Sequence, residues 1–197
     1  MGLSFIMLLG TIHFLVYCIL QPFFIEDAAI SFAYARNFVD GYGFVSYPGG
    51  ERVEGFSNAL WTFLIALFYF IGFSPFVSSK ILGLIFCVGT LPSIWGITRR
   101  MLDPDISDSD SKSAHKYALL APLLLALSPQ FVIWSASGLE NSLYIFLLST
   151  GMYRILREEE EPSILPWSGL LFCLVAMTRP EGIMYVVVAC IVKIVFT

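Results

Sequence analysis

The sequence predicts an all-α membrane protein, built as a multi-span helical bundle. Hydrophobic residues make up 57% of the 197-residue chain, and charged residues make up only 13%. A soluble domain carries about 25% charged residues, so this chain has too few to cover a surface in water. The mean hydropathy of +0.80 points the same way. The composition therefore argues against a soluble enzyme. The net charge of −4 leaves no basic surface for nucleic acid, which is not an expected partner.

Long apolar runs give the predicted membrane spans. A span needs roughly 20 apolar residues. The first run should remain as an anchor helix, because no Lys or Arg precedes it and no A-x-A cleavage site follows it. We expect about six spans, at residues 3–24, 78–98, 117–135, 139–156, 163–178 and 182–197.

A further apolar run, 59–73, is predicted to form an in-plane or re-entrant helix. It is only about fifteen residues long, which is short for a span, and it ends in a Gly-Phe-Ser-Pro sequence. If it crossed the membrane, the next helix would carry Arg99 and Arg100 to the face where basic residues are uncommon. We therefore expect this helix on the outer face, capped by Ser57 or Asn58.

Lys and Arg residues set the predicted orientation, because cytoplasmic loops carry an excess of them. The charged loop 99–116 is therefore assigned to the cytoplasm. The polar insert 25–58 then faces outward as an extracytoplasmic active-site loop, together with the turns at 138–140 and 178–181. We expect a multi-pass integral protein of the cell (plasma) membrane. The basic residues that define the cytoplasmic side are Arg99, Arg100, Lys112, Lys116, Arg154, Arg157 and Lys193.

The insert 25–58 predicts an ordered platform that begins with a short helix. Asp27, Ser31 and Tyr34 share one face of that helix. Glu26 and Asp27 are expected in its first turn, where the helix dipole favours carboxylates, and a Gly-Tyr-Gly sequence should end it. The following FVSY-PGG-ERVEG segment alternates around a Pro-Gly-Gly turn, which predicts a short hairpin on the membrane surface.

The two outward turns carry three charged residues, Glu140, Arg179 and Glu181. A charged side chain near lipid costs several kcal/mol unless it is paired or lies in a wet cavity, so these residues indicate a functional cavity. Group transfer from a lipid-linked phosphate fits such a cavity. A carboxylate can take the proton of the attacking hydroxyl, and an arginine can hold the departing phosphate. The simpler alternative is that Glu140 is a helix N-terminal charge and Arg179 an interfacial anchor.

A long ungapped motif in the insert resembles a known family. The motif reads E-D-A-x-I-S-F-x-Y-A-R-N-F-V-x-G-Y-G-F-V-x-Y-P-G-G-E-R-V-E-G-F-S-N-x-L-W-T, within about residues 22–62. It resembles the first extracytoplasmic loop of the GT-C fold glycosyltransferases, and most of all the branch that contains the terminal arabinofuranosyltransferases. The later S-G-L-E and T-R-P-E-G sequences are similar to short elements of the same branch.

The resemblance implies a polyprenyl-phosphate-linked sugar donor, with a pentose favoured, and a glycan or other hydroxyl acceptor on the outer face. It implies that Asp27 is the general base of an inverting transfer, with Glu26 in the place of the family's first Asp. No cofactor is expected, a divalent cation is compatible with the carboxylates of the loop, and membrane lipid is a further partner. The residues expected to bind substrate are Arg36, Glu54 and Asn58 in the loop, Arg179 for the donor phosphate, Glu140 for a sugar hydroxyl or for orienting Arg179, and Glu181 beside them.

The length of the chain leaves other roles open. Members of the resembled family run to several hundred residues, so 1–197 is expected to be the N-terminal part of a GT-C-like transmembrane domain or a truncated relative. A truncated relative could bind lipid phosphate without catalysis or act as a partner subunit. A transporter or flippase would place charges at mid-bilayer depth. A purely structural role would make all of these charges dispensable.

Overall fold

The computed structural model describes residues 2–53, 55–102, 111–161 and 165–196. Within these ranges every regular element is an α-helix and no strand is present, so the all-α prediction is confirmed. The helices are α1 (Gly2–Leu20), α2 (Ala28–Val39), α3 (Ala59–Phe70), α4 (Pro75–Leu102), α5 (Ser111–Ala118), α6 (Leu120–Leu127), α7 (Pro129–Ser135), α8 (Asn141–Glu160), α9 (Trp167–Thr178) and α10 (Gly182–Phe196).

Two helices, α1 and α4, are long and apolar enough to cross a membrane. A third span is added if α5 to α7 form one span with a 59° bend. Helices α3, α9 and α10 are apolar but shorter. These helices agree with a membrane protein. A helix needs roughly 20 residues to cross a membrane, and α9 and α10 are shorter than that. The count of about six spans therefore stays a prediction.

Helices α4 and α8 lie side by side and run in the same direction. At three successive contacts the residue numbers of the partners differ by 57, which only parallel chains allow. Two aromatic rings of α8 pack against glycines of α4, and between them two hydroxyls share a hydrogen bond of 3.0 Å. The three pairs are Gly89 with Phe146, Ser93 with Thr150, and Gly96 with Tyr153.

The C-terminal ends of α4, α8 and α10 meet at one end of the bundle, called here the basic end and defined by Arg100, Arg154 and Lys193. Arg100 pairs with Glu160 at 2.9 Å. Glu158 accepts a hydrogen bond from Lys193 Nζ at 2.6 Å and lies 3.6 Å from Arg154 Nε. Basic residues that the sequence assigns to one side of the membrane therefore lie together. The side of the membrane that they face stays a prediction.

Part of the predicted loop 99–116 is helical. Arg99 and Arg100 form the last turn of α4, and α5 begins at Ser111. The two guanidinium groups lie over the rings of Trp95 and Tyr153, at 5.7 and 4.9 Å from the ring centres. This stacking supports the additional helical turn, since a cation is attracted to the face of an aromatic ring.

The predicted span 117–135 is broken. Its helices bend by 59° at Ser128 and Pro129. Pro has no backbone N–H and forces the residue before it out of the helical region, and Ser128 accordingly has an extended ψ of 114°. The Ser128 hydroxyl then caps α7 by accepting from the amide of Phe131. A new helix therefore starts where the sequence predicted an uninterrupted one.

The predicted hairpin after α2 is wrong, because no strand forms in the described part of that loop. A hairpin needs a ladder of backbone hydrogen bonds between its two arms. Here the carbonyls of both arms turn to helix α2 instead. The Val45 carbonyl accepts from the Asn37 side chain at 2.8 Å, and the Val53 carbonyl accepts from the Tyr34 hydroxyl at 3.0 Å. The loop is therefore folded onto the helix that precedes it.

Helix α2 ends as predicted but begins slightly later. It starts at Ala28, so Asp27 takes the N-cap position and Glu26 precedes it, whereas both were expected in the first turn. Asp is favoured at an N-cap, which agrees with this start. At the other end Gly41 has a φ of 88°, and the amide after it returns to the Asn37 carbonyl at 2.9 Å. This closure needs glycine, because the left-handed region penalises a Cβ.

Helix α3 begins and ends near the same end of the bundle. Asn58, just before it, donates to Glu140 at the start of α8. Just after it, α4 begins, and Lys80 in the second turn of α4 donates to the carbonyl of Phe23 beyond α1. Both ends of α3 therefore lie opposite the basic end. Whether the predicted segment 59–73 lies in the membrane plane stays a prediction.

Candidate active site

A buried carboxylate lies at the end of the bundle opposite the basic end. Glu140 is only 6% exposed. One of its oxygens accepts from Arg179 Nε at 2.7 Å, and the other accepts from Asn58 Nδ2 at 2.8 Å. A buried charge is costly unless it is paired and hydrogen-bonded, and Glu140 has both kinds of partner. We call this group with its hydrogen-bonded neighbours the Glu140 network.

Asn58 connects the network to helices α2 and α3. Its Oδ1 accepts from the hydroxyls of Ser31 and Thr62, each at 3.1 Å. Asn58 occupies the N-cap position of α3, as expected, but its side chain makes no capping bond. The reason is that both polar groups of the amide are already used, one by these hydroxyls and one by Glu140. The predicted cap residue thus joins three helices instead.

Arg179 joins the network from the turn between α9 and α10. Besides Glu140, its guanidinium donates to Asn141 Oδ1 at 2.8 Å and to Glu181 Oε1 at 3.4 Å. It also lies 5.6 Å from the ring centre of Tyr144. The side chain of Arg179 is 32% exposed, so part of it can be reached from outside. The three charged residues predicted in the two turns therefore meet in space.

The loop before α8 places Glu140 beside α2. The Ser137 carbonyl accepts from the amide of Ile25 at 2.9 Å, and the Gly138 carbonyl accepts from the indole of Trp61 at 3.0 Å. Gly138 has a φ of 92°, and a Cβ there would stand 3.1 Å from the Cβ of Ala28. Only glycine fits this close approach to α2 without strain. The close packing against α2 therefore explains the glycine of the S-G-L-E sequence.

Asp27 and Glu26 directly precede α2, and both side chains are exposed. Asp27 makes no capping bond to α2. It precedes Ser31 by four residues, so the two side chains share a helix face with their Cβ atoms about 5–6 Å apart. Asp27 is therefore one helical turn from a member of the network, and its carboxylate can be approached by a ligand.

Arg36 is not brought to the network. It lies nine residues after Asp27, which is half a turn away around a helix that advances 100° per residue. It instead lines a groove of about 340 Å³, together with the rings of Phe24, Phe32 and Phe76. Glu54, the remaining expected substrate-binding residue, lies outside the described residues.

Lys80 is a charged residue of this end that the sequence reading did not single out. Its ammonium group donates to the carbonyl of Phe23 at 2.5 Å and to the carbonyl of Ala136. It also lies 5.1 Å from the ring centre of Phe76. Lys80 therefore ties the start of α4 to the chain that follows α1 and α7. The sequence feature that could have identified Lys80 is its position as a single lysine inside an apolar run, since a charged residue there needs partners.

Polar residues of α8 and α3 were also missed. Asn141 and Thr62 take part in the Glu140 network, and Tyr144 packs on Arg179. Among the described residues, the Tyr144 hydroxyl and the Asn141 amide nitrogen are buried without a hydrogen-bond partner.

Comparison of the chain with protein-family models, with curated proteins and with solved structures finds no match.

Proposed function

We propose that this chain belongs to a membrane glycosyltransferase. It would move a sugar, with a pentose favoured, from a polyprenyl-phosphate donor to a hydroxyl acceptor outside the cytoplasm. One observation carries the proposal: the exposed carboxylate of Asp27 lies one helical turn from Ser31. Ser31 belongs to the Glu140 network, which also contains the partly exposed Arg179. Its support is chemical, because this transfer needs a proton acceptor and a cation near each other at a membrane surface.

The proposed reaction is a single displacement. The Asp27 carboxylate takes the proton of the acceptor hydroxyl while that oxygen forms a bond to the anomeric carbon. The bond from the anomeric carbon to the phosphate oxygen breaks, and its electron pair leaves with the polyprenyl phosphate. Attack from the face opposite the phosphate inverts the anomeric centre. A well-placed general base contributes about 10²–10⁴ to such a rate.

Arg179 is proposed to hold the departing phosphate. A guanidinium has five N–H donors, and three of them are directed to Glu140, Asn141 and Glu181. The remaining donors can bind phosphate oxygens in a fork. In this proposal Glu140 orients Arg179 by accepting a hydrogen bond from its Nε. Glu181 accepts from Nη1, beside the donors that remain free. The apolar groove beside Arg36 offers a surface for the prenyl tail.

Native mass spectrometry of the detergent-purified protein tests the donor site. We expect an adduct with the mass of polyprenyl phosphate or its sugar conjugate on the wild-type protein. Arg179→Ala should lose the adduct, whereas Arg157→Ala, which removes an arginine at the basic end, should keep it. Arg179→Lys retains a charge near Glu140 and should fold if the alanine variant does not, yet bind the adduct more weakly because the fork is lost. No adduct on any variant contradicts the proposal.

Transfer activity tests the general base. In proteoliposomes supplied with radiolabelled polyprenyl-phosphate sugars, Asp27→Asn should lower the rate about 10²–10⁴-fold. Asp40→Asn, at the other end of the same helix, is the matched control and should transfer like wild type. Equal rates for the two variants would exclude Asp27 as the base.

A non-catalytic protein that binds lipid phosphate is the second candidate. The observation that favours it is the engagement of Arg179 by three protein partners, which suits a fixed binding site or a structural lock. This protein would keep the phosphate adduct in Asp27→Asn and show no transfer in any variant. The two experiments together therefore separate the two candidates.

A further inference from the structure

A second cavity lies in the loop that follows α2. It has a volume of about 430 Å³ and is lined by Gly43, Phe44, Arg52, Val53 and Phe56. Small-molecule sites are of this size, and they are mostly apolar and aromatic with a few polar groups. We infer that this cavity binds a sugar unit of the acceptor, so that the acceptor is an oligosaccharide. The inference rests on the proposed function.

The aromatic walls of the cavity are held in place by their neighbours. Phe44 stacks on Phe38 of α2, with ring centres 4.3 Å apart. Phe56 packs on Tyr34 of α2, with ring centres 4.8 Å apart. Both rings are therefore fixed by packing before any ligand arrives. The face of an aromatic ring is electron-rich, so it suits the C–H groups on the apolar face of a sugar.

Arg52 supplies the polar side of the cavity. Its guanidinium lies 3.8 Å from the place where a Cβ would stand at Gly43, so the side chain turns back over the loop. The side chain remains exposed, and a guanidinium donates up to five hydrogen bonds and accepts none. Sugar hydroxyl and ring oxygens are acceptors, so an arginine beside two rings matches a saccharide.

The cavity and the proposed base both lie beside α2, at different positions along its length. Tyr34, whose ring supports Phe56, donates to the Val53 carbonyl at 3.0 Å. Tyr34 follows Asp27 by seven residues, which places it on the same face about 10 Å along the helix. A ligand that is bound in the cavity and reacts at Asp27 must span that distance. Linked sugars do so and a single small alcohol does not, which is why we assign an oligosaccharide acceptor.

The test is binding of the fluorescently labelled, detergent-solubilised protein to an array of defined neutral oligosaccharides. We expect the wild-type protein to bind a subset of them. Arg52→Gln should weaken that binding about tenfold or more, as expected for a lost hydrogen bond from a charged group. Phe44→Leu keeps an apolar side chain against Phe38 but removes the ring, and it should weaken binding similarly. Arg157→Gln is the matched control and should bind like wild type.

The outcomes separate this inference from the proposed function. If no oligosaccharide binds, or if neither Arg52→Gln nor Phe44→Leu weakens binding, the saccharide site is overturned. This holds even if the donor adduct and the transfer activity are found. Binding that depends on Arg52, with no donor adduct and no transfer, keeps the saccharide site and overturns the glycosyltransferase. A lipid adduct that is lost in Arg52→Gln would assign the cavity to lipid and overturn the inference.

Discussion

Glu140 is the residue on which the geometry of the candidate site depends most. We predict that Glu140→Gln lowers the free energy of unfolding by about 2 kcal/mol, because removing one partner of a buried pair leaves the other charge uncompensated. The value is below that of a fully buried pair, since Arg179 is 32% exposed. The new amide also directs a donor at Arg179 or at Asn58, which are donors themselves. Denaturant titration in detergent micelles measures the change.

The matched control for this prediction is Glu160→Gln at the basic end. Glu160 also pairs with an arginine, Arg100, but it is 37% exposed. Exposed pairs contribute about 0–1 kcal/mol, so this variant should unfold almost as wild type does. If Glu140→Gln costs no more than Glu160→Gln, then Glu140 is not the electrostatic centre of the network.

Single residues could be predicted where their chemistry is unusual for their position. Glu140 and Arg179 stand in turns between apolar runs, so their charge alone indicated a shared site, and they are 2.7 Å apart. Asn58 was less readable, because the same amide can cap a helix or bridge two others. Lys80 was missed, since its partners come from distant parts of the chain that local sequence does not specify. Thr62 was missed although its partner, Asn58, lies only four residues before it.

At the scale of elements, the parallel pair α4 and α8 depends on glycine. We predict that Gly96→Ala lowers the free energy of unfolding by about 1–3 kcal/mol, the cost of overpacking a fitted interface. The reason is that a Cβ at Gly96 would collide with the ring of Tyr153. Thermal unfolding in detergent, checked by denaturant titration, measures the loss.

Gly169→Ala is the control for this prediction. Gly169 also lies inside a helix, α9, but a Cβ there meets no atom within 4 Å. Alanine is favoured over glycine in a helix by up to about 1 kcal/mol, so this variant should be neutral or more stable. A Gly96→Ala protein as stable as Gly169→Ala would contradict the close packing of α4 against α8.

Elements were predictable where hydrophobicity decides them, and less so where a loop competes with regular structure. The long apolar runs correctly gave α1 and α4. The sequence pattern of the loop after α2 favoured a hairpin, but Asn37 and Tyr34 bind its carbonyls and remove the ladder. The break at Pro129 was readable in principle, because proline disfavours helix in the residue before it.

The whole molecule has two ends of different character. At the basic end, Arg100 of α4 and Lys193 of α10 pair with carboxylates of α8, the helix that also carries Arg154. The opposite end holds the Glu140 network and the exposed Asp27. The sequence predicted this division from charge alone, since runs between spans alternate from one side to the other.

Cysteine labelling in intact cells would assign the two ends. We predict that a membrane-impermeant maleimide labels Ser46→Cys, in the exposed loop after α2, without permeabilisation. Glu161→Cys, exposed just beyond α8 at the basic end, should be labelled only after the membrane is opened. The physical reason is that short segments rich in Lys and Arg stay on the cytoplasmic side. Each variant is made in a chain whose native cysteines are replaced by serine or alanine, namely Cys18, Cys87, Cys173 and Cys190.

The two labelling sites serve as controls for each other, because both are exposed and each lies at one end of the same bundle. Labelling of Glu161→Cys alone in intact cells would invert the orientation. The Glu140 network would then face the cytoplasm, where a donor presented on the outer leaflet could not reach Asp27, and an extracytoplasmic transfer would be excluded. Labelling of both sites in intact cells would mean that the ends do not lie on opposite sides. The parallel pair α4 and α8 would then not cross the membrane together, although both run from the network to the basic end.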